Sequence, residues 1–389
     1  MSVSSSFQRA ARAVRGGGRR LSAATLEAVV RRAAARSPSP AAAPPQPRSL
    51  FVLRNNDVGD LLVVTPLFEA LRHRFPEAWI AAGVGSWNLP VLARNPHLSE
   101  VLQIDAPWHN KYARPAGAAG RALYLWRSAE VRRLAERGFE VGIDVLGSGW
   151  GSLLLLRAGI PYRLGVRGFA GGDSAVQAAV AHDPREHVGR AALRFAELLG
   201  AERLPPCRPQ IFLSPEETAA AERWWAAGEA AGRARVVIGP GGGVAARCWP
   251  EESFLALAAG LAGRGDLSLL VLGGEREREL VAAVAAAARG RSLADPPGLR
   301  ELFALVAACD LVVCNSSMLL HVAAAFAKPA LVLLGQSFTS ASQHQEQWGY
   351  AGISRSLGLE PGSRNTLWSP AEALAAVGEA IAAGARCPP

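Results

Sequence analysis

No apolar run in this 389-residue chain reaches the ~18 residues that a membrane-spanning helix requires, and the longest candidate, residues 311–327, is broken by Asn315, Ser316, Ser317 and His321. A spanning helix is excluded. Cysteine is sparse: Cys207, Cys248, Cys309, Cys314 and Cys387 are odd in number and form no C-x-x-C pair, which argues against a disulfide framework or a structural zinc site and for reduced thiols in a cytosolic protein. With 50% hydrophobic and 19% charged residues, the chain is globular rather than disordered or fibrous. Acid is almost missing from residues 1–48, where nine arginines face Glu27 alone, so this segment holds +8 of the total net charge of +9. The rest is nearly neutral, and nucleic acid is not an expected partner.

Residues 1–48 read as a basic, disordered or membrane-surface tail that ends in a Pro-rich linker over 37–47. Phe7, Ala10, Ala11 and Val14 share one helical face, and Leu26, Val29, Val30 and Ala33 share another, with arginines on the remaining faces; such a pattern suits peripheral contact with an anionic membrane surface. A solvated tail, or an Arg-rich organelle transit peptide, fits the same composition. From Ser49 onward, short β-rich runs alternate with helical patterns, the form of a parallel α/β sheet. Strands are expected over 50–53, 79–83, 101–104, 141–146 and 163–166, with a helix after Gly59 and another over 186–199. The Pro-rich run 204–209 marks a boundary. Beyond it the alternation restarts, with strands over 236–239, 269–272, 311–314 and 330–334 and helices over 251–262, 275–288, 300–308 and 317–327. Two such domains, 49–204 and 210–389, place a ligand cleft beyond the carboxyl ends of their strands.

Three segments carry candidate chemistry, each where a strand hands over to a helix. In Arg54-Asn55-Asn56-Asp57-Val58-Gly59-Asp60, Gly59 permits a tight turn and Asp60 lies near a helix start, as a cap or as a reactive carboxylate. In Pro240-Gly241-Gly242-Gly243-Val244-Ala245-Ala246-Arg247, successive glycines expose N–H groups to an anion and Arg247 adds a planar grip on phosphate; a flexible turn with a surface arginine is the alternative. No Gly-Lys-Ser/Thr follows, and Val244 holds the third-glycine place of a dinucleotide fingerprint. An oxidoreductase on a Rossmann domain is thereby disfavoured. In Asn315-Ser316-Ser317-Met318-Leu319-Leu320-His321, the Ser-Ser pair falls at a helix start, suited to phosphate or simply to capping, with His321 as a ligand-binding or core histidine.

Gly59-Asp60 with Thr65-Pro66-Leu67, then Arg247-Cys248-Trp249-Pro250-Glu251 leading to Phe254, then Leu272-Gly273-Gly274 with Glu277, and Cys309-Asp310-Leu311-Val312-Val313 with Asn315, Ser317 and His321 follow in an order that resembles the heptosyltransferase glycosyltransferases, glycosyltransferase family 9. The resemblance spans roughly residues 49–335. It implies an α/β GT-B architecture of two Rossmann-like domains facing a cleft, with an N-terminal acceptor-binding domain and a C-terminal nucleotide-sugar-binding domain. It further implies inverting, metal-independent transfer of a sugar, heptose from ADP-heptose, onto a lipopolysaccharide-like or cell-envelope saccharide at the cytoplasmic membrane face, with no cofactor. The sequence holds no Asp-x-Asp pair for a pyrophosphate-bound cation. Asp60 matches the family's general base. Gly242, Gly243, Arg247, Ser316, Ser317 and His321 fall to the donor site, and Glu277 to the ribose. Lys111, Arg114, Arg121, Arg163 and Arg167 are candidates for an anionic acceptor, and the last helix, 370–383, is expected to pack back on the first domain.

The chain departs from the family pattern where Asn-Asp-Ser-Gly-Pro-Met-His is usual. Ser316 stands for the acid and Met318 for the glycine. Gly335-Gln336-Ser337-Phe338-Thr339 replaces Gly-Pro-Thr, and Gln343, His344, Gln345 and Trp348 follow in a polar, aromatic loop. These changes keep a second reading open, a catalytically silent nucleotide-sugar or glycan-binding protein on the same fold.

Overall fold

The computed structural model of the protein describes residues 23–37, 39–228, 232–293 and 298–383. One six-stranded sheet holds β1 (Ser49–Leu53), β2 (Trp79–Val84), β3 (Glu100–Gln103), β4 (Val141–Asp144), β5 (Tyr162–Arg167) and β6 (Ala178–Ala181), in the order β3-β2-β1-β4-β5-β6. A second holds β7 (Ala234–Gly239), β8 (Leu267–Val271), β9 (Arg291–Ser292), β10 (Leu311–Asn315), β11 (Ala330–Leu333) and β12 (Ser354–Leu357), in the order β12-β11-β10-β7-β8-β9. Numbered within each sheet, both read 3-2-1-4-5-6, and their strands pair in parallel. The order reverses between β1 and β4 and again between β7 and β10. In doubly wound sheets a crevice opens there, beyond the strand ends.

β1 shows why these runs become central strands. Its side chains alternate, so Leu50 and Val52 enter one core while Phe51 and Leu53 enter the other, and all four are buried. The largest apolar cluster is continuous across both sheets: Leu61 and Leu62 from the helix after β1 share it with Leu319 and Leu320 from the helix after β10. Arg300 adds a polar clasp, donating to the Glu217 carboxylate and to the carbonyls of Phe212 (2.6 Å) and Pro90 (3.3 Å).

Three expectations are corrected. Residues 1–22 lie outside the described residues, but Ala23–Ala34 is a helix docked on the first domain, against Gly149–Arg157 and the turn Asp173–Ala175. Val30 is fully buried there and Leu26 joins the Phe51 core, whereas Val29 stays exposed. Apolar packing holds this part of the tail on the fold, and Glu27 pairs with Arg31 at 3.8 Å within the helix. The last helix, Pro370–Ala382, packs on Glu251–Ala262 of the second domain, because Ala373, Ala376 and Val377 face the core formed by Trp249, Phe254 and Leu257. Residues 384–389 are outside the described residues. The segment around Gln343 is a helix, Ala341–Trp348, whose N-cap Ser340 accepts from the Gln343 N–H at 3.1 Å. No helix among the described residues is long and apolar enough to cross a membrane.

Candidate functional site

At the first crevice, Leu53 at the end of β1 pairs with Asp144 at the end of β4. Asp144 is buried; its oxygens accept from the N–H groups of Leu146 (3.1 Å) and Ser148 (2.8 Å). Burial nevertheless pushes its carboxyl up to about 6, with those bonds and the Arg54 charge opposing. Arg54 is also buried; its Nε donates to the Asp60 carbonyl at 3.1 Å and its Nη2 lies 3.6 Å from Asp60 Oδ1. Burial lowers its pKa, and the charges of Asp60 and Asp144 hold it up. Asp60 itself sits in the first turn of the helix Val58–Leu62 with its side chain 36% exposed. The N-cap position belongs to Asp57, so the capping reading of Asp60 is set aside.

Asn55 and Asn56 pin the following loop of the same domain. Asn55 Nδ2 donates to the Trp108 carbonyl (3.2 Å) and Asn56 Nδ2 to that of His109 (2.8 Å), while the Asn56 carbonyl accepts from Trp87 Nε1 and Asn88 Nδ2, each at 2.9 Å. This fixes Lys111, whose backbone N–H donates to Asp57 Oδ1 (3.1 Å) and whose Nζ lies 3.8 Å from Asp57 Oδ2. Burial raises the Asp57 pKa and Lys111 opposes the rise. Tyr112 stacks on Trp87 with ring centroids 5.0 Å apart.

At the second crevice, the glycine loop leaves β7 and is tied to the end of β10 by Asn315. Its Nδ2 donates to the carbonyls of Pro240 (2.7 Å) and Gly241 (3.2 Å), and its Oδ1 accepts from the Trp249 N–H at 2.8 Å. A Cβ on Gly241 would stand 2.6 Å from Glu277 Cγ, and one on Gly242 would stand 2.6 Å from Cys248 Sγ, so the loop has room for neither. Glu277 Oε2 accepts from the Gly274 N–H at 2.9 Å. Arg247 closes a short 3-10 turn, and its carbonyl accepts from the Gly335 N–H at 3.1 Å. Ser317 is the N-cap of Met318–Ala325, and its hydroxyl is buried with no partner among the described residues. The Ser316 hydroxyl lies 2.8 Å from His344 Nε2.

The two crevices meet. A Cβ on Gly59 would be 3.3 Å from His321 Cδ2 and 3.5 Å from Met318 Cα, so the Asp60 helix lies directly on the helix that starts at Ser317. Lys111 crosses to the second domain, its Nζ 3.6 Å from where a Gly243 Cβ would be. That position borders the glycine loop of the second domain. His321 is buried at this contact, its Nδ1 2.7 Å from the Tyr350 hydroxyl, and burial pulls its pKa down to about 3. It is neutral at this domain contact.

The five basic candidates divide. Arg114 is exposed on the Lys111 loop, and Arg121 lies over the Trp150 ring, 5.7 Å from its centroid. Arg167 is exposed at the end of β5, two strands from β1. Arg163 is corrected: it is buried near the start of β5, donating to the carbonyls of Ala175 (2.7 Å), Ile160 (2.6 Å) and Pro161 (2.9 Å) and to the Ser39 hydroxyl (2.7 Å). All its nitrogens are committed inside the fold. Sequence reasoning missed the site roles of Arg54, Asp144, Asn315 and His344. An acid ending a buried strand was the available signal for Asp144; His344 stood out only as part of an unusual polar, aromatic run, with nothing local to pair it with Ser316.

Two doubly wound domains joined at their strand ends, each carrying its loops at the reversal point, define a GT-B glycosyltransferase architecture. The family model for glycosyltransferase family 9 (heptosyltransferase) matches residues 127–347, more than half of the chain, and the protein belongs to that family. Lipopolysaccharide heptosyltransferase 2 of Escherichia coli (strain K12) is 27% identical over 318 residues, covering 76% of this chain and 86% of that protein. The Salmonella typhimurium protein of the same name is 27% identical over 315 residues, with the same coverage. Among solved structures, E. coli ADP-heptose lps heptosyltransferase II superposes with a TM-score of 0.69 at 22% identity, over 87% of this chain and all of that one. E. coli heptosyltransferase WaaC with ADP gives 0.62 at 16%, over 87% of this chain and 99% of that one. The chain is a glycosyltransferase of the heptosyltransferase kind.

Proposed function

We propose that the protein transfers heptose from an ADP-linked donor to a saccharide of the lipopolysaccharide type, with inversion and without a metal. The first domain holds the acceptor and the second holds the nucleotide-sugar. Asp60 takes the proton of an acceptor hydroxyl as its oxygen attacks the anomeric carbon, and the nucleoside diphosphate leaves on the opposite face. Charge building on that leaving group meets the Gly242 and Gly243 N–H groups, Arg247 and Lys111. Glu277, packed on Gly241, accepts from the ribose. Arg114 and Arg121 are the remaining acceptor candidates beside Asp60's crevice, with Arg167 further along the sheet.

The observation that carries this reading is the Gly59 contact, which sets the helix of a partly exposed carboxylate, Asp60, against the helix that starts at Ser317. Asp60→Asn tests it, since the amide keeps shape but cannot take a proton. Transfer should fall by at least about a hundredfold while calorimetric ADP binding stays within twofold. Unchanged transfer would remove Asp60 as base; absence of turnover in the unsubstituted protein with ADP-heptose and a heptose-bearing core saccharide would favour the silent-binding reading. Transfer should also persist in EDTA.

Membrane contact is part of the proposal only for residues 1–22, which carry five arginines. Their deletion should reduce sedimentation with vesicles of anionic phospholipid.

A further inference from the structure

We propose that His344 is a positioning residue that fixes the Ser316 hydroxyl as a hydrogen-bond acceptor toward the bound nucleotide-sugar. This rests on the donor site proposed above. It concerns the one position in that site where the usual acid is absent.

The direction of every hydrogen in the chain behind Ser316 follows from groups that have no choice. Gln345 Nε2 lies 2.9 Å from the Ser354 carbonyl, which only accepts, and Gln345 Oε1 lies 3.0 Å from the Ser356 backbone N–H, which only donates. The amide orientation is therefore fixed at both ends. Ser356 Oγ lies 2.9 Å from that same Oε1, so the Ser356 hydroxyl must donate there. Its remaining neighbour in the chain, His344 Nδ1 at 2.8 Å, must then supply the proton, which makes His344 the Nδ1–H tautomer. His344 is buried, with the Phe338 ring edge-on 5.0 Å away. Burial and the Arg247 charge hold its pKa down at about 4, so the ring is neutral at neutral pH. Nε2 is thus a bare lone pair, and the Ser316 hydroxyl 2.8 Å away has to donate to it.

Ser316, with its single proton spent, has only lone pairs left for the site. A carboxylate at this position would also be an acceptor without a proton to give. Ser316 backed by His344 restores that polarity while leaving out the negative charge, which beside a diphosphate is repulsive. The matching chemistry on the ligand is a hydroxyl or N–H of the nucleotide-sugar. The helix Ala341–Trp348 and β12 serve as the frame that holds the polarity.

NMR of the full chain labelled with heavy nitrogen at histidine, with the His344 signals assigned by their loss in His344→Gln, reads the tautomer directly. The expected result at pH 7 is a protonated Nδ1 and a bare Nε2; a protonated Nε2 overturns the proposal. Ser316→Asp sets a carboxylate against the bare nitrogen, so His344 should become doubly protonated at pH 7. A ring that stays neutral in that variant also overturns it. Calorimetry with ADP and with ADP-heptose supplies the ligand arm: Ser316→Ala should weaken binding of one or both by about tenfold, and His344→Phe, which frees the hydroxyl to rotate, should weaken the same ligand. Binding that survives both changes overturns the proposal. If the unsubstituted protein binds neither ligand, the donor reading fails, while the tautomer arm still decides the polarity of Ser316.

Discussion

At the scale of single residues, the site depends on buried charges held by neighbours. Asp144 is the clearest case. Its folded pKa of about 6 lies above that of an exposed aspartate, so between about 4 and 6 the folded state binds the extra proton. Folding stability from this group is fully present below the unfolded value and is lost as pH rises through about 6. Chemical denaturation at pH 4.5 and pH 7 should show this decline, about 2 kcal/mol from a shift of about two pK units, and Asp144→Asn should flatten it. Gly151 belongs to the same device, since a Cβ there would stand 2.0 Å from Asp144 Oδ2. Arg54 was legible as part of a motif, but its task was not. Only the pairing of Leu53 with Asp144 shows that the arginine lies between two carboxylates.

At the scale of elements, the docked N-terminal helix separates composition from placement. Its arginines are what the sequence displays, while Leu26 and Val30 decide where it goes. Gly149 leaves the space, because a Cβ there would come within 2.9 Å of Leu26 Cδ2. Val30→Asp buries an unpaired carboxylate in that contact and should release the helix, seen as new cleavage near residue 35 in limited proteolysis, with ADP binding unchanged. The strands over 50–53 and 311–314 were legible because they are continuous apolar runs buried on both faces. β9 and β12 were not, since their side chains are mostly half-buried or exposed polar groups with no apolar period. Gly149–Arg157 escaped for a related reason: two glycines weaken its helical signal, and the Ser148 cap, accepting from the Gly151 N–H at 2.9 Å, becomes visible only once the chain is folded.

At the scale of the molecule, the two sheets repeat one strand order and share one apolar cluster. Their relative placement rests on the Gly59 contact and on Arg300. Arg300→Ala removes the guanidinium bonds to the Glu217 carboxylate and to two carbonyls; it should cost about 2 kcal/mol in a denaturant titration. On the proposed function, loosening this clasp should also raise the KM for acceptor more than for the sugar donor, because an acceptor held by the first domain has to meet a donor held by the second.

The sequence by itself determined the α/β fold class and the motifs at the strand ends, because apolar period and glycine placement act over a few residues. Tertiary structure decided which side chains those motifs gather. Lys111 reaches the Gly243 loop and His344 reaches Ser316 across long stretches of chain, and Arg163 is drawn inside by carbonyls that sequence spacing does not reveal. Hydrogen bonds of this kind depend on where backbones come to rest, and that is set by packing of the whole core.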